Sequence, residues 1–231
     1  MAQLHLIGFD SCPWVQRAAI VLKEKGIDYR RTDIDSENRP DWFLRISPHS
    51  KVPVLVVDDR HHLYESNAIV EYLDELHQPR LHPADPIERA FNRAWTDYLP
   101  TFAGAVTGTT YAPDEASYQA RLKEIAPRFA RLEAALGERG HAGPYFNGAA
   151  FSLVDAGYAP FLQRYDFLDR IRPLGIIEGF PRLMAWRDAL LARESVRASM
   201  AANLETLYRR SLKARNMWIS GFIDGAQAAA E

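Results

Sequence analysis

The chain has 231 residues, 28 basic and 30 acidic side chains, a formal net charge of −2 and a single cysteine. Hydrophobic residues at 47% and charged residues at 25% match a folded globular protein and exclude general disorder, while the balanced charge argues against a dedicated nucleic-acid binder. A chain this long buries enough surface to hold a core without disulfides or metal, and one cysteine leaves no possibility of an intrachain disulfide.

Leu4 to Phe9 is a short apolar run closed by Asp10-Ser11 and reads as a buried strand. Pro13 suits the first turn of a helix, where its missing N–H costs nothing. Val15, Ala18, Ala19 and Leu22 then recur at helical spacing and predict one apolar face. Lys23, Glu24 and Lys25 are expected to solvate the other side, and Gly26 to stop the helix. A second strand is expected from Ile27 to Ile34, so the order strand, helix, strand suits a parallel pair.

Pro40 to Ile46 predicts a short helix closed by Ser47-Pro48. Val52 to Val57 is a β-branched run with Pro53 near its start. Asp58-Asp59 turns it into a second strand around His62 to Tyr64. Ser66 begins a helix whose expected inner face is Ile69, Tyr72, Leu73 and Leu76. Residues 4–77 thus read βαβ, then a short helix, then ββα.

Pro79, Pro83 and Pro86 mark residues 78–86 as a linker, and residues 87–231 read as all helical. Leu122, Ile125, Phe129, Leu132 and Leu136 predict one continuous amphipathic stripe. Ser152 to Asp155 fits a capping box opening an apolar helix. Leu183, Trp186 and Leu190 mark another helix, and Leu204, Leu207, Tyr208 and Leu212 a last one. Arg209, Arg210, Lys213 and Arg215 read as its solvated face. Met217-Trp218-Ile219 with Phe222 is expected to pack over a junction, and Ala228 to Ala230 to fray. No apolar run approaches the ~20 residues that span a bilayer. The opening Met-Ala-Gln-Leu-His-Leu-Ile lacks the pattern of a secretory signal. Together with the absence of disulfides, this points to a reducing, cytoplasmic setting.

Three elements can carry chemistry. Cys12 lies where a strand ends and a helix begins, where partial positive charge and unpaired N–H groups favour thiolate; the alternative is a small buried hydrophobe. In Lys51-Val52-Pro53 a proline starts a strand, and a cis bond there would turn the Val52 backbone outward. In Glu65-Ser66, at another strand-to-helix junction, Ser66 can hold a carboxylate at a helix N-terminus or simply cap the helix, while Glu65 can accept an ammonium. His61-His62 lacks the further ligands of a zinc site.

Taken in order, these elements resemble the glutathione transferase family, most of all its omega class and bacterial relatives. The resemblance rests on Cys12-Pro13-Trp14-Val15-Gln16-Arg17, Val21 to Ile27, Arg39-Pro40-Asp41-Trp42-Phe43, Val52-Pro53-Val54-Leu55, Tyr64-Glu65-Ser66 and Glu71 to Glu75. It implies a thioredoxin-like α/β domain over residues 1–77 that binds glutathione as cosubstrate, and an all-α domain that supplies a second-substrate pocket. Cys12 would be the catalytic thiol, with Pro13 and Trp14 shaping its surroundings. Val52 would pair with the cysteinyl backbone beside a cis Pro53, and Glu65 and Ser66 would hold the γ-glutamyl end. Arg39 or Lys51 would hold the glycine carboxylate. Phe102, Tyr111 and Tyr165 are candidates for the second pocket, with Trp186 expected to pack in the core. A homodimer through the region of Arg89 to Tyr98 is also implied, with no nucleic-acid, membrane or metal partner.

The pattern also departs from other members. Val15 leaves no Cys-x-x-Cys pair, no Ser-Ser-Cys run is present, and Phe9 rather than tyrosine ends the first strand. The leading expectation is a monothiol enzyme acting on a disulfide, a glutathionyl substrate or a thioether through a Cys12–glutathione mixed disulfide. Conjugation or reductive dehalogenation of an electrophile, with Ser11 or Cys12 orienting glutathione, is the second. A non-catalytic adaptor of the same fold is the third.

Overall fold

The chain begins β1 (Leu4–Gly8), α1 (Pro13–Glu24), β2 (Arg30–Asp33), α2 (Asp41–Ile46), β3 (Val54–Val57), β4 (His61–Tyr64) and α3 (Ser66–Leu76). This computed structural model describes residues 2–140 and 142–224; the Ala228 to Ala230 end lies outside them. The sheet order is β2-β1-β3-β4, with β1 parallel to β2 and antiparallel to β3, which pairs antiparallel with β4. The α1 crossover joins the parallel pair, as such pairs require. This is the thioredoxin-like order expected. The strands are shorter than expected: β2 occupies only Arg30–Asp33, and β3 begins after Pro53, which has no N–H to give the ladder.

Two glycines set α1. A Cβ on Gly8 would lie 2.5 Å from a Val15 methyl carbon, so the strand end approaches the helix as closely as glycine permits. At the other end Gly26 adopts φ 61°. Its N–H donates to the Lys23 carbonyl at 3.1 Å, and that of Ile27 to Leu22 at 2.9 Å, which closes the helix as expected.

The expectation of a half-solvated α1 is overturned. Every residue from Val15 to Leu22 is buried, including Gln16 and Arg17, because the helical half packs on the side away from the sheet. Glu24 accepts from Arg193, and Lys25 forms an ion pair with Asp74 at 3.0 Å whose side chains are each 2% exposed. Asp74 also accepts the backbone N–H groups of Leu81 and His82. A buried carboxylate with three such donors ties residues 78–86 to both helices. The inner face of α3 is accordingly Ile69, Val70, Leu73 and Asp74, with Leu76 exposed.

The remaining helices are α4 (Pro86–Thr110), α5 (Glu115–Leu122), α6 (Ile125–Glu138), α7 (Leu153–Ile171), α8 (Pro181–Ala192), α9 (Glu194–Arg197) and α10 (Leu204–Ala214). The expected stripe from Leu122 to Leu136 is divided between α5 and α6. Pro127 cannot donate to the Lys123 carbonyl, so it takes a place in the first turn of a new helix. Leu183, Trp186 and Leu190 are the buried residues of α8, as their spacing predicted. Trp218 packs on Tyr118 at 4.5 Å and on Phe222 at 4.9 Å, so that segment packs as expected but within the helical half and not over the junction. Among the described residues no helix is long and apolar enough to cross a membrane.

The capping box of α7 is present and carries more than a cap. Asp155 is fully buried. One carboxylate oxygen accepts from the Phe146 N–H at 2.9 Å and the Trp186 indole at 2.6 Å. The other accepts from the Ser152 N–H at 2.8 Å and its hydroxyl at 2.6 Å.

Candidate active site

Cys12 occupies the N-cap position of α1 and Pro13 the first helical position, as the sequence predicted. The thiol sits partly buried at the mouth of a strand-to-helix turn. Its side chain makes no cap hydrogen bond to a first-turn N–H. Burial pushes the thiol above the usual cysteine range; the Val15 and Trp14 N–H groups, and then the charges of Arg164 and Arg31, pull the other way without offsetting it. The expectation of a thiol already acidified by its helix start is thus corrected: the opposing groups are in place, but desolvation outweighs them. Alkylation of Cys12 by iodoacetamide should therefore climb about tenfold per pH unit from pH ~7 and not level off below pH ~8.5. A plateau near pH ~6 would show a preformed thiolate instead.

Arg164 on α7 is the side chain that the sequence reading missed beneath this thiol. It is buried. One Nη donates to the Ser11 carbonyl at 2.8 Å, and the other to Gln16 Oε1, Gln163 Oε1 and the Pro160 carbonyl. No carboxylate pairs with it among the described residues. Desolvation draws the guanidinium down to about 10, so it remains a cation at neutral pH. A buried cation without an anionic partner is costly. The thiolate of Cys12 is the nearby group that can offset it.

Two cavities flank the first turn of α1. One, of about 350 Å³, is lined by Trp14, Lys51, Val52, Pro53, Glu65 and Ser66. It gathers six of the residues singled out from the sequence. The other, of about 880 Å³, is lined by Cys12, Pro13 and Arg39 together with Tyr111, Arg210 and Arg215. The predicted set is therefore divided between the two sides of one helix start, with Cys12 facing the larger cavity.

In the smaller cavity the Val52–Pro53 peptide bond is cis, as expected. The Val52 N–H and carbonyl have no hydrogen-bond partner among the described residues, which leaves both free to pair with a ligand backbone. Glu65 adopts φ 64°, a conformation a non-glycine residue holds at a cost of order 1–3 kcal/mol and one that clusters at functional sites. Its carboxylate meets His49 Nδ1 at 3.0 Å. Ser66 is not the helix cap, since Glu65 holds that position. Ser66 is the first helical residue, so its N–H is one of the unpaired donors of the helix start. Behind it lies Arg17, fully buried, whose guanidinium reaches the Ser66 hydroxyl at 3.4 Å and Asn67 Oδ1 at 2.6 Å. Arg17 closes the Cys12 to Arg17 run and falls outside the apolar positions of α1. Only the burial of that face reveals it.

Arg39 donates to the Ser50 carbonyl at 2.5 Å and lies over the Phe9 ring at 5.5 Å from its centroid, in the larger cavity. Lys51 lines the smaller one. Among the candidates for the second pocket, Tyr111 reaches the Cys12 cavity, whereas Phe102 and Tyr165 are core residues packed on Phe129. Trp186 is core, as expected. Arg210 and Arg215, expected on a solvated face, line the cavity because α10 packs its buried side, Leu204, Tyr208 and Leu212, against the rest of the helical half. His61 and His62 are exposed on β4.

The arrangement has clear counterparts among known proteins. Residues 11–76 match the family model of the glutathione S-transferase N-terminal domain, and residues 115–189 that of the C-terminal domain. Rat glutathione S-transferase omega-1 is 30% identical over 185 residues, which span 80% of this chain and 75% of the rat protein. A tau class glutathione S-transferase from mango superposes with a TM-score of 0.80 at 27% identity, covering 90% of this chain and 97% of the mango one. A rice glutathione S-transferase solved in complex with glutathione gives 0.79 at 28% identity, covering 93% and 96%.

Proposed function

The chain belongs to the glutathione S-transferase family and is a glutathione transferase, and from that premise we propose that it is an omega-like thioltransferase acting through Cys12. The observation that carries this reading is the position of Cys12 at the start of α1, whose first turn two cavities flank. In this reading residues 1–77 bind glutathione, 78–86 link, and 87–231 form the second-substrate half. The complex of the rice relative with glutathione supports the choice of cosubstrate.

Glutathione lies in the smaller cavity. The open backbone edge of Val52 pairs with its cysteinyl part beside Pro53. Glu65 accepts the γ-glutamyl ammonium, giving up His49, and the unpaired Ser66 N–H with its hydroxyl takes the α-carboxylate. Trp14 walls the cleft beside the sulfur, and Pro13 fixes the turn that presents Cys12. Lys51 is the better placed base for the glycine carboxylate, since Arg39 is turned to the other cavity.

The Cys12 thiolate attacks the glutathionyl sulfur of a mixed disulfide. A Cys12–glutathione disulfide forms and the partner leaves as a thiolate, which takes a proton from water. A second glutathione thiolate then attacks the bound glutathione sulfur, releasing glutathione disulfide and restoring the Cys12 thiolate. A thiol of raised pKa is less ionised but intrinsically more nucleophilic, and Arg164 stabilises the ionised form. A homodimer is part of the reading: Ile87 and Phe91 on α4 are 67% and 54% exposed, an apolar face suited to a second copy. A reducing, cytoplasmic setting suits a lone catalytic thiol.

The test is a side-by-side assay of the wild-type enzyme. Reduction of a glutathione mixed disulfide should exceed conjugation of an aryl halide by at least about tenfold in kcat/KM, a difference of ~1.4 kcal/mol in transition-state stabilisation. Faster conjugation would overturn the thioltransferase reading in favour of conjugation with Ser11 or Cys12 orienting glutathione. Absence of both activities would favour the adaptor.

A further inference from the structure

The cavity that Cys12 faces is charged where a pocket for apolar electrophiles would be bare. Its apolar lining is small: Phe9, Pro13, Ile34 and Tyr111. Both aromatic rings are already covered by cations, Phe9 by Arg39 at 5.5 Å and Tyr111 by Arg215 at 5.7 Å. An apolar ligand finds little free aromatic surface there, and would strip water from the charges around it at a cost.

Those charges are of both signs. Asp33 is paired with Arg31 at 3.0 Å and Glu37 with Arg215 at 2.9 Å. Asp10, Asp35, Arg39 and Arg210 line the same cavity with no ion-pair partner among the described residues. Asp35 accepts the Glu37 N–H, and Arg39 is held by the Ser50 carbonyl and the Phe9 ring, which leaves Asp10 and Arg210 the freer carboxylate and guanidinium. An available guanidinium and an available carboxylate in one cavity of about 880 Å³ suit a ligand that carries an anion and a cation together. Guanidinium recognises carboxylate with two parallel hydrogen bonds, and a carboxylate accepts an ammonium.

We propose that the Cys12 cavity takes a second substrate bearing an amino-acid zwitterion, with Arg210 holding its carboxylate and Asp10 its ammonium. This rests on the placement of glutathione in the smaller cavity. It deepens that reading by naming what approaches from the opposite side: the γ-glutamyl end of a second glutathione, or the amino-acid end of a cysteine disulfide. In the thiol-transfer cycle a second glutathione must reach the bound glutathione sulfur after the first has filled its own cleft, and this cavity gives it a route with matching charges.

The experiment uses non-reactive thioethers of glutathione, so that binding is measured without turnover. Calorimetry compares S-hexylglutathione, the thioether joined to the cysteine side chain, and the thioether analogue of glutathione disulfide. S-methylglutathione serves as the reference for the smaller cavity. The zwitterionic thioethers should bind about tenfold tighter than the hexyl one. Arg210→Ala and Asp10→Asn should each weaken them about fivefold and leave S-hexylglutathione unchanged. A gain confined to the glutathione-derived thioether identifies a second glutathione as the ligand; one shared by the cysteine-derived thioether identifies the amino-acid end alone. Equal or tighter binding of the hexyl compound, or variants without effect, overturns the proposal and leaves the glutathione site standing. If S-methylglutathione itself fails to bind, the glutathione site falls and this proposal with it.

Discussion

Replacing Cys12 by Ser should lower reduction of glutathione mixed disulfides by at least about 10³-fold, the scale of loss seen when a nucleophile that acts as part of a unit is removed. A serine hydroxyl is not ionised at neutral pH, and no sulfur is left to exchange with a disulfide. The fold should not suffer. Cys12 is the N-cap of α1 and makes no side-chain cap hydrogen bond, whereas serine is a preferred cap whose oxygen accepts from the first-turn N–H groups. The variant should therefore melt no lower than wild type, and gain up to about 1 kcal/mol. Glutathione binding should persist, because the cleft with Lys51, Val52, Glu65 and Ser66 does not include the thiol. Weak conjugation can emerge, since a hydroxyl stabilises a bound glutathione thiolate. Disulfide reduction at the wild-type rate would sink the Cys12 mechanism; lost reduction with a lowered melting temperature would show that the change had damaged the turn.

The parts of the site that were legible beforehand are those set by local chain logic. A strand end followed by Cys12-Pro13 specifies a helix start, because proline is favoured at the first helical position, where no N–H is needed. Pro53 at the edge of a β-branched run specifies where β3 begins. Glu65 and Ser66 were placed at the right junction, although the cap belongs to Glu65. What stayed illegible depends on distant partners. Gln16 and Arg17 look like the wet side of α1 at helical spacing, yet both are buried. Gln16 donates to Gln163 and Ser199, and Arg17 to Ser66 and Asn67, contacts that no local pattern announces. Arg164 and Arg210 are the same case seen from the helical half. A periodicity argument asks which face of a helix is apolar. It has no means of finding a helix enclosed on all sides whose polar residues take their partners from other elements.

Asp155 is where that enclosure is most exposed to a single substitution. Asp155→Ala should destabilise the protein by about 4 kcal/mol, the scale for removing a charged acceptor that satisfies several buried donors. The four donors left behind, from Phe146, Trp186 and twice from Ser152, make no other hydrogen bond among the described residues. For a chain of this size the melting temperature should fall by about 10 °C. Asp155→Asn is the sharper experiment, because it keeps the volume. An amide has one acceptor oxygen, so it can serve the Phe146 and Trp186 N–H groups or the Ser152 pair, and its own NH₂ then faces a backbone N–H. If shape mattered most, Asn would rescue the protein. If the carboxylate's two acceptor oxygens matter, Asn should recover no more than about half of the loss, and Ser152→Ala, which removes one donor with its partner hydrogen bonds, should cost only about 1–2 kcal/mol. A nearly native Asn variant would overturn the account of Asp155 as a four-donor acceptor. The same helix carries Arg164 to the Ser11 carbonyl, so loosening its start also loosens the support beneath Cys12. In the Asn variant kcat for disulfide reduction should fall while KM for glutathione holds, since the glutathione cleft is lined by α1, α3, α4 and the Pro53 turn, and no residue of α7 lines it.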